Sequence, residues 1–310
     1  MTIPDKLKAG DHVVLLSPSG KIQPELLDGA EQRLRGWGLN VIRSPHCAGS
    51  YGRFSGSVQE RLSDIRAALS DPSVKALFCS RGGYGAIHLL PCLDEPAIQA
   101  RPKWLIGYSD ITALHALWNR WGIVSLHAPM ARHLSEEPAQ DRATESLKQL
   151  LFGENVSYDL PPHPANKPGN GTGKLVGGNL SVLYGLRGTP YEYPWEKAIL
   201  FIEDIGERAY HIERMLYNLK LGGILDKLSG LIVGQFTDCP EDPQLGHTLY
   251  QAVAELTREY GYPVLYNFPT GHVKENLPLP IGMEATLTVT AEGEGKLTFP
   301  PLAESSRLSG

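Results

Sequence analysis

Five short apolar runs punctuate the first 127 residues: HVVLLS (12–17), LNVIRS (39–44), VKALFC (74–79), WLIG (104–107) and GIVSLH (122–127). Each is too short for a core helix and rich in Val, Ile or Leu, as strands buried on both faces are. The segments between them have helical spacing instead. Leu27, Ala30, Leu34 and Trp37 share one face of a helix predicted over 24–38, and Leu62, Ile65 and Leu69 one face of a helix over 58–70. A third helix is predicted over 110–120, where Ile111, Leu114, Leu117 and Trp118 recur. Alternation of this kind calls for a parallel sheet with helices on both faces.

The pattern breaks at GENVSYDLPPHPANKPGNGTG (153–173), whose proline and glycine content predicts a linker or long surface connection. Beyond it, strands are predicted at AILFIED (198–204), LSGLIVGQF (228–236) and PVLYNF (263–268), with helices over 208–220 and 245–260. Ile212, Met215, Leu216 and Leu219 align on the first of these helices. ATLTVT and GKLTF, near the end, alternate like a pair of half-solvated β-strands. The expected architecture is α/β: an N-terminal parallel-sheet domain with flanking helices (1–140), a linker (141–173), and a C-terminal α/β domain with some antiparallel strands (174–310).

Composition narrows the function classes. A net charge of −5 over 310 residues offers no basic stripe for nucleic acid. No stretch approaches the roughly 20 apolar residues of a membrane span. The N-terminal apolar run, Val13 to Leu16, is too short for a signal peptide, which points to a cytoplasmic protein. Cysteines at 47, 79, 92 and 239 form no C-x-x-C pair, so buried thiols are expected for most of them rather than a disulfide framework. The ten histidines show no ligand spacing, and neither a metal nor a cofactor is expected.

In open α/β sheets ligands bind beyond the carboxyl ends of the strands. Four such tips carry chemistry: SRGGYG (80–85), YSD (108–110), EDIGE (203–207) and PTGHVKEN (269–276). Together they supply backbone N–H groups in a glycine-rich turn, a hydroxyl, a carboxylate and an imidazole. That is the equipment of a serine hydrolase. Each also has a plainer reading. Ser109 or Asp110 suits a helix N-cap, Glu203 and Asp204 suit a solvated strand end, and His272 suits an ordinary loop. RGGYG lacks both the P-loop ending and the G-x-G-x-x-G spacing, so it argues little for a nucleotide.

RGGYG, GYSDIT, FIEDIGE followed by IERML, and FPTGHVKENLPLPIG, in that order, resemble the LD-carboxypeptidases, the S66 serine peptidase family. The resemblance runs nearly end to end. It implies a metal-free triad of Ser109, Glu203 and His272, with Glu207 a rival for the acid. It also implies a murein tetrapeptide substrate, cut between the L-centre of its diamino acid and the terminal D-alanine during peptidoglycan recycling. The backbone N–H groups of Gly83 and Asp110 would form the oxyanion hole, while Asp110 takes the capping role. Arg81 is the candidate partner for the terminal carboxylate. Tyr84 and Asn179 either line the pocket or are structural. Two other functions stay open: a related amidase that inactivates microcin-type peptide-nucleotide antibiotics, and a non-enzymatic α/β ligand-binding protein. No nucleic-acid or membrane partner is expected. The choice between monomer and homodimer is open.

Overall fold

A computed structural model describes residues 1–93 and 96–301. The chain forms two compact units. The first comprises Met1–Asn155 and Lys274–Gly282, the second Val156–Val273 and Met283–Pro300.

The sheet of the first unit is built from β1 (His12–Leu16), β2 (Asn40–Arg43), β3 (Val74–Cys79), β4 (Trp104–Gly107) and β5 (Ser125–His127), all parallel, in the order 2-1-3-4-5. A late strand, β11 (Leu279–Ile281), runs antiparallel along β5 and closes that edge. Chain direction across the sheet reverses between β1 and β3, which opens a crevice at their carboxyl ends. The helices follow the predicted faces. In α1 (Pro24–Gly36) Leu27, Ala30 and Leu34 are buried. In α2 (Val58–Ser70) Leu62, Ile65 and Leu69 are buried, and Ser57 and Glu60 close a capping box at its start. A short α3 (Pro96–Gln99) and α4 (Thr112–Arg120) lie on either side of β4 in the chain, and α5 (Ala131–Glu136) and α6 (Arg142–Leu151) follow β5.

The second unit holds a seven-stranded mixed sheet in the order 10-9-8-7-12-13-6. Its strands are β6 (Ser157–Leu160), β7 (Gly169–Asn179), β8 (Ile199–Ile205), β9 (Gly230–Thr237), β10 (Val264–Leu265), β12 (Glu284–Val289) and β13 (Gly295–Thr298). β7 to β10 are parallel, while β12, β13 and β6 are antiparallel. The α/β class, with antiparallel strands in the C-terminal half, is therefore as expected. Its helices are α7 (Leu180–Leu186), α8 (Ala209–Leu221) and α9 (Leu249–Thr257), and α8 buries the four predicted residues Ile212, Met215, Leu216 and Leu219.

The segment expected as a linker, 141–173, is largely ordered. It contains α6, β6 and the start of β7. The composition misleads because the glycines of β7 serve packing rather than turning. A Cβ on Gly171 would lie 1.8 Å from the Ser229 carbonyl oxygen, and one on Gly173 1.8 Å from that of Lys197. Only glycine lets the neighbouring backbone come this close. The expected C-terminal stretch 174–310 is also interrupted, because Lys274–Gly282 joins the first unit through β11; residues 302–310 lie outside those described. Smaller differences have local causes. PVLYNF forms a strand over Val264–Leu265 only, since Asn267 takes a left-handed φ of 58°. The helix predicted over 245–260 begins at Leu249, where Thr248 and Gln251 form a capping box. Among the described residues no helix is long and apolar enough to cross a membrane. Cys47 and Cys79 are buried thiols, Cys239 is half-buried and Cys92 is exposed.

Candidate active site

In the first unit β4 ends at Gly107, and Ser109 follows with φ 65°. A non-glycine residue at positive φ is strained, and this one sits at a sharp strand-to-helix corner of the kind a nucleophile elbow uses. Gly107 makes the corner possible, because a Cβ there would meet Cys79 Cβ and Ile111 Cγ1, each at 3.0 Å. The reading of Ser109 or Asp110 as an N-cap is corrected. The turn Ser109–Ile111 and α4 both start without a side-chain cap. The Asp110 carboxylate instead accepts from Ser19 Oγ and, at 2.8 Å, from the Ala86 N–H. Sequence reasoning missed His115, which is fully buried on α4 with Nε2 2.8 Å from the Gly107 carbonyl and Nδ1 2.8 Å from Ser125 Oγ. Burial pulls its pKa down to about 4, so a neutral ring donates to the end of β4 and braces the corner.

The glycine-rich turn after β3 lies against this corner. Gly82, which the sequence did not single out, is the glycine facing Ser109: its Cβ would lie 2.8 Å from Ser109 Cβ and 3.0 Å from Oγ. Gly83, at φ 112°, presents its Cβ position to Gly20 instead. Gly82→Ala is therefore expected to displace Ser109 and to lower turnover by about 100-fold, with a smaller effect on melting temperature. Steady-state assay beside a thermal melt measures both, and unchanged turnover would show that the close approach has no catalytic consequence. Arg81 is exposed and donates to the Lys21 carbonyl at 2.7 Å. Tyr84 is 47% exposed and packs edge-on against His88.

In the second unit Glu203 lies in β8, wholly buried. His272 Nδ1 sits 2.8 Å from Glu203 Oε2. The tautomer that carries its proton on Nδ1 donates to this carboxylate oxygen and presents Nε2 as an acceptor. Local backbone explains the contact. β9 carries an extra residue opposite β8, pairing Ile202 with Val233 but Asp204 with Phe236, and such bulges re-aim side chains. Gly271, at φ 115°, lets the histidine loop press on the carboxylate, since a Cβ there would lie 2.8 Å from Glu203 Oε2. The loop is pinned along β9 by Gln235 N–H to the Thr270 carbonyl and by Thr237 Oγ1 to the His272 carbonyl, both at 3.0 Å. Glu207, the rival acid, is partly exposed and reaches His211 Nδ1 at 3.3 Å.

Asn179 has a structural engagement. Its Oδ1 caps α7 at Val182 N–H, and its Nδ2 donates to Asp204 Oδ1 at 2.8 Å. Asp204 also accepts from the Ser181 and Ile205 N–H groups. Burial, reinforced by the neighbouring Glu203, pushes the Asp204 carboxyl up to about 6 from 3.8, against these hydrogen bonds. The folded state then binds more protons than the unfolded state between about pH 4 and pH 6. Stability is expected to fall as pH rises through that window, by about 1 kcal/mol per pH unit from this group. Asp204→Asn should flatten the slope, and urea unfolding across the window measures it. An undiminished slope would assign the pH dependence to other groups.

Among the described residues no cluster of three or more His, Cys, Asp or Glu side chains could hold a metal ion. The first unit thus holds a strained serine beside a glycine turn, and the second, separately, a wholly buried glutamate in contact with a histidine.

Comparison with known proteins bears on this arrangement. The family model for the LD-carboxypeptidase N-terminal domain matches residues 13–128, and that for the C-terminal domain matches 172–287. The chain is 36% identical to a probable murein peptide carboxypeptidase of Bacillus subtilis, over 93% of this chain and 92% of that protein. It is 33% identical to the murein tetrapeptide carboxypeptidase of Pseudomonas aeruginosa, over 89% and 92%. The crystal structure of muramoyltetrapeptide carboxypeptidase from Oxalobacter formigenes superposes with a TM-score of 0.85 at 28% identity, covering 93% of this chain and 98% of that one. With both family models matched in order and relatives above 30% identity along nearly its whole length, this chain belongs to the LD-carboxypeptidases, the S66 peptidase family.

Proposed function

We propose that this protein is a serine-type LD-carboxypeptidase that releases terminal D-alanine from murein tetrapeptides. The observation that carries the reading is the 2.8 Å contact between His272 and the buried Glu203, in a chain that also holds Ser109 in the strained conformation of a nucleophile corner. The names of the Bacillus and Pseudomonas relatives support the substrate class.

In this reading Ser109 Oγ gives its proton to His272 Nε2 and attacks the carbonyl of the diamino acid's L-centre. The N–H groups of Asp110 and Gly83 stabilise the oxyanion. The imidazolium, held by anionic Glu203, protonates the departing amine, and D-alanine leaves. Water then enters, gives its proton to His272 and cleaves the acyl-enzyme, which restores Ser109. Arg81 uses one of its N–H donors on Lys21; those remaining make it the proposed partner of the terminal carboxylate. Tyr84 is a proposed wall of the substrate pocket, whereas Asn179 is left with its capping role.

The test is mass spectrometry of products from four substrates: a murein tetrapeptide, the corresponding pentapeptide, an all-L peptide and an aminoacyl-nucleotide amide. Loss of a single D-alanine from the tetrapeptide alone is expected. Cleavage of the nucleotide amide with the tetrapeptide intact would favour the microcin-type amidase instead. Turnover of none would overturn the peptidase reading and return the chain to the binding-protein class.

A further inference from the structure

Two opposite charges lie buried beneath the corner that carries Ser109, and the scheme above uses neither side chain. Arg61, on α2, is 1% exposed. Its Nη1 donates to the carbonyls of Pro18 at 2.7 Å and Gly85 at 2.9 Å, and its Nε donates to the Gly56 carbonyl at 3.1 Å. The guanidinium also lies over the Phe54 ring, 5.0 Å from its centre. Asp110 is 5% exposed, and its Oδ2 accepts from Ser19 Oγ and the Ala86 N–H. The two charges therefore grip the same pair of segments at adjacent residues. Arg61 takes the acceptors of Pro18 and Gly85, and Asp110 takes the donors of Ser19 and Ala86. One segment follows β1 and the other follows β3, so the grip spans the crevice where the sheet reverses. Gly20 N–H adds a direct bond to the Gly82 carbonyl at 3.0 Å.

Burying ions is costly, and two loops could be closed with neutral groups. What the charges add is a fixed spacing under Gly82, whose Cα faces Ser109. We propose that Arg61 and the Asp110 carboxylate are positioning residues for the nucleophile: they lock segments 18–19 and 85–86 so that Gly82 and the backbone N–H of Asp110 keep their aim at Ser109. This rests on the reading of Ser109 as the nucleophile.

The test uses Asp110→Asn, Arg61→Lys and Ser19→Ala in the full chain. It compares kcat and KM on the tetrapeptide, the second-order rate of Ser109 labelling by a fluorophosphonate, and Tm. All rates are taken well below every Tm. Arg61→Lys and Asp110→Asn are expected to lower kcat by about 10- to 100-fold with KM within about two-fold, because an ångström of misplacement costs about that much. Labelling should slow by a similar factor, since it also needs the aligned N–H groups. Ser19→Ala removes one contact and keeps both charges. It should lose about three- to ten-fold and decides the matter if the charge variants fail to fold. Variants with lowered Tm but wild-type kcat and labelling rate would overturn the proposal, as would a change confined to KM. Wild-type protein that escapes labelling would overturn the nucleophile assignment itself. Labelled wild type with unaffected variants would overturn the positioning role alone.

Discussion

Ser109→Ala is expected to lower release of D-alanine by about 10⁶-fold, which is the loss typical of a deleted triad nucleophile. The fold should survive the change. Ser109 already occupies φ 65°, and alanine takes on the same backbone strain without adding volume. Ser109→Gly should be equally inactive yet more stable than the alanine variant, by about 1 kcal/mol, because glycine adopts positive φ freely. The pair separates chemistry from conformation: both lose turnover, and only the glycine variant gains in melting temperature. Near-normal turnover in a folded Ser109→Ala protein would remove the serine from the mechanism. Equal stability of the two variants would deny the corner its strain.

The second large effect concerns the acid. Glu203→Gln is expected to cut turnover by about 10⁴-fold. The amide can present an N–H where His272 needs an acceptor, and it removes the charge that stabilises imidazolium. Glu203 is wholly buried against Gly271, and glutamine keeps its volume, so the substitution tests charge and hydrogen-bond acceptance without opening a cavity. Glu207→Gln should leave turnover near wild type. Its carboxylate lies just before α8 and pairs with His211, so its loss should cost only about 0.3–1 kcal/mol of stability. Both variants need assay and thermal melting in parallel. An inactive Glu207→Gln beside an active Glu203→Gln would reassign the triad.

The sequence by itself determined the architecture of the first half, because strand and helix periods there are unmixed; the exception is edge strand β2, where Ile42 is 40% exposed although its apolar run reads as buried. It also placed Ser109 and His272 in turns or loops beyond apolar runs, whereas Glu203, read as a strand tip, lies wholly buried inside β8. Strand-end position alone favours Glu203 over Glu207 as the acid; what only the tertiary structure supplies is the contact each carboxylate makes. Four residues apart, the two differ in that a bulge in β9 and the bare backbone of Gly271 turn one of them onto His272, while the other meets its own helix at His211. Gly82 was hidden for a similar reason. Nothing in RGGYG tells which glycine will face a side chain contributed by the turn after the next strand. The glycines of β7 read as turns, because local composition cannot report that a neighbouring carbonyl will occupy the space of a Cβ. Spacing along the chain encodes which face of an element is buried. Which two elements come within 3 Å is decided only when the sheet assembles, and at Ser109 and Glu203 that close approach determines which residues meet.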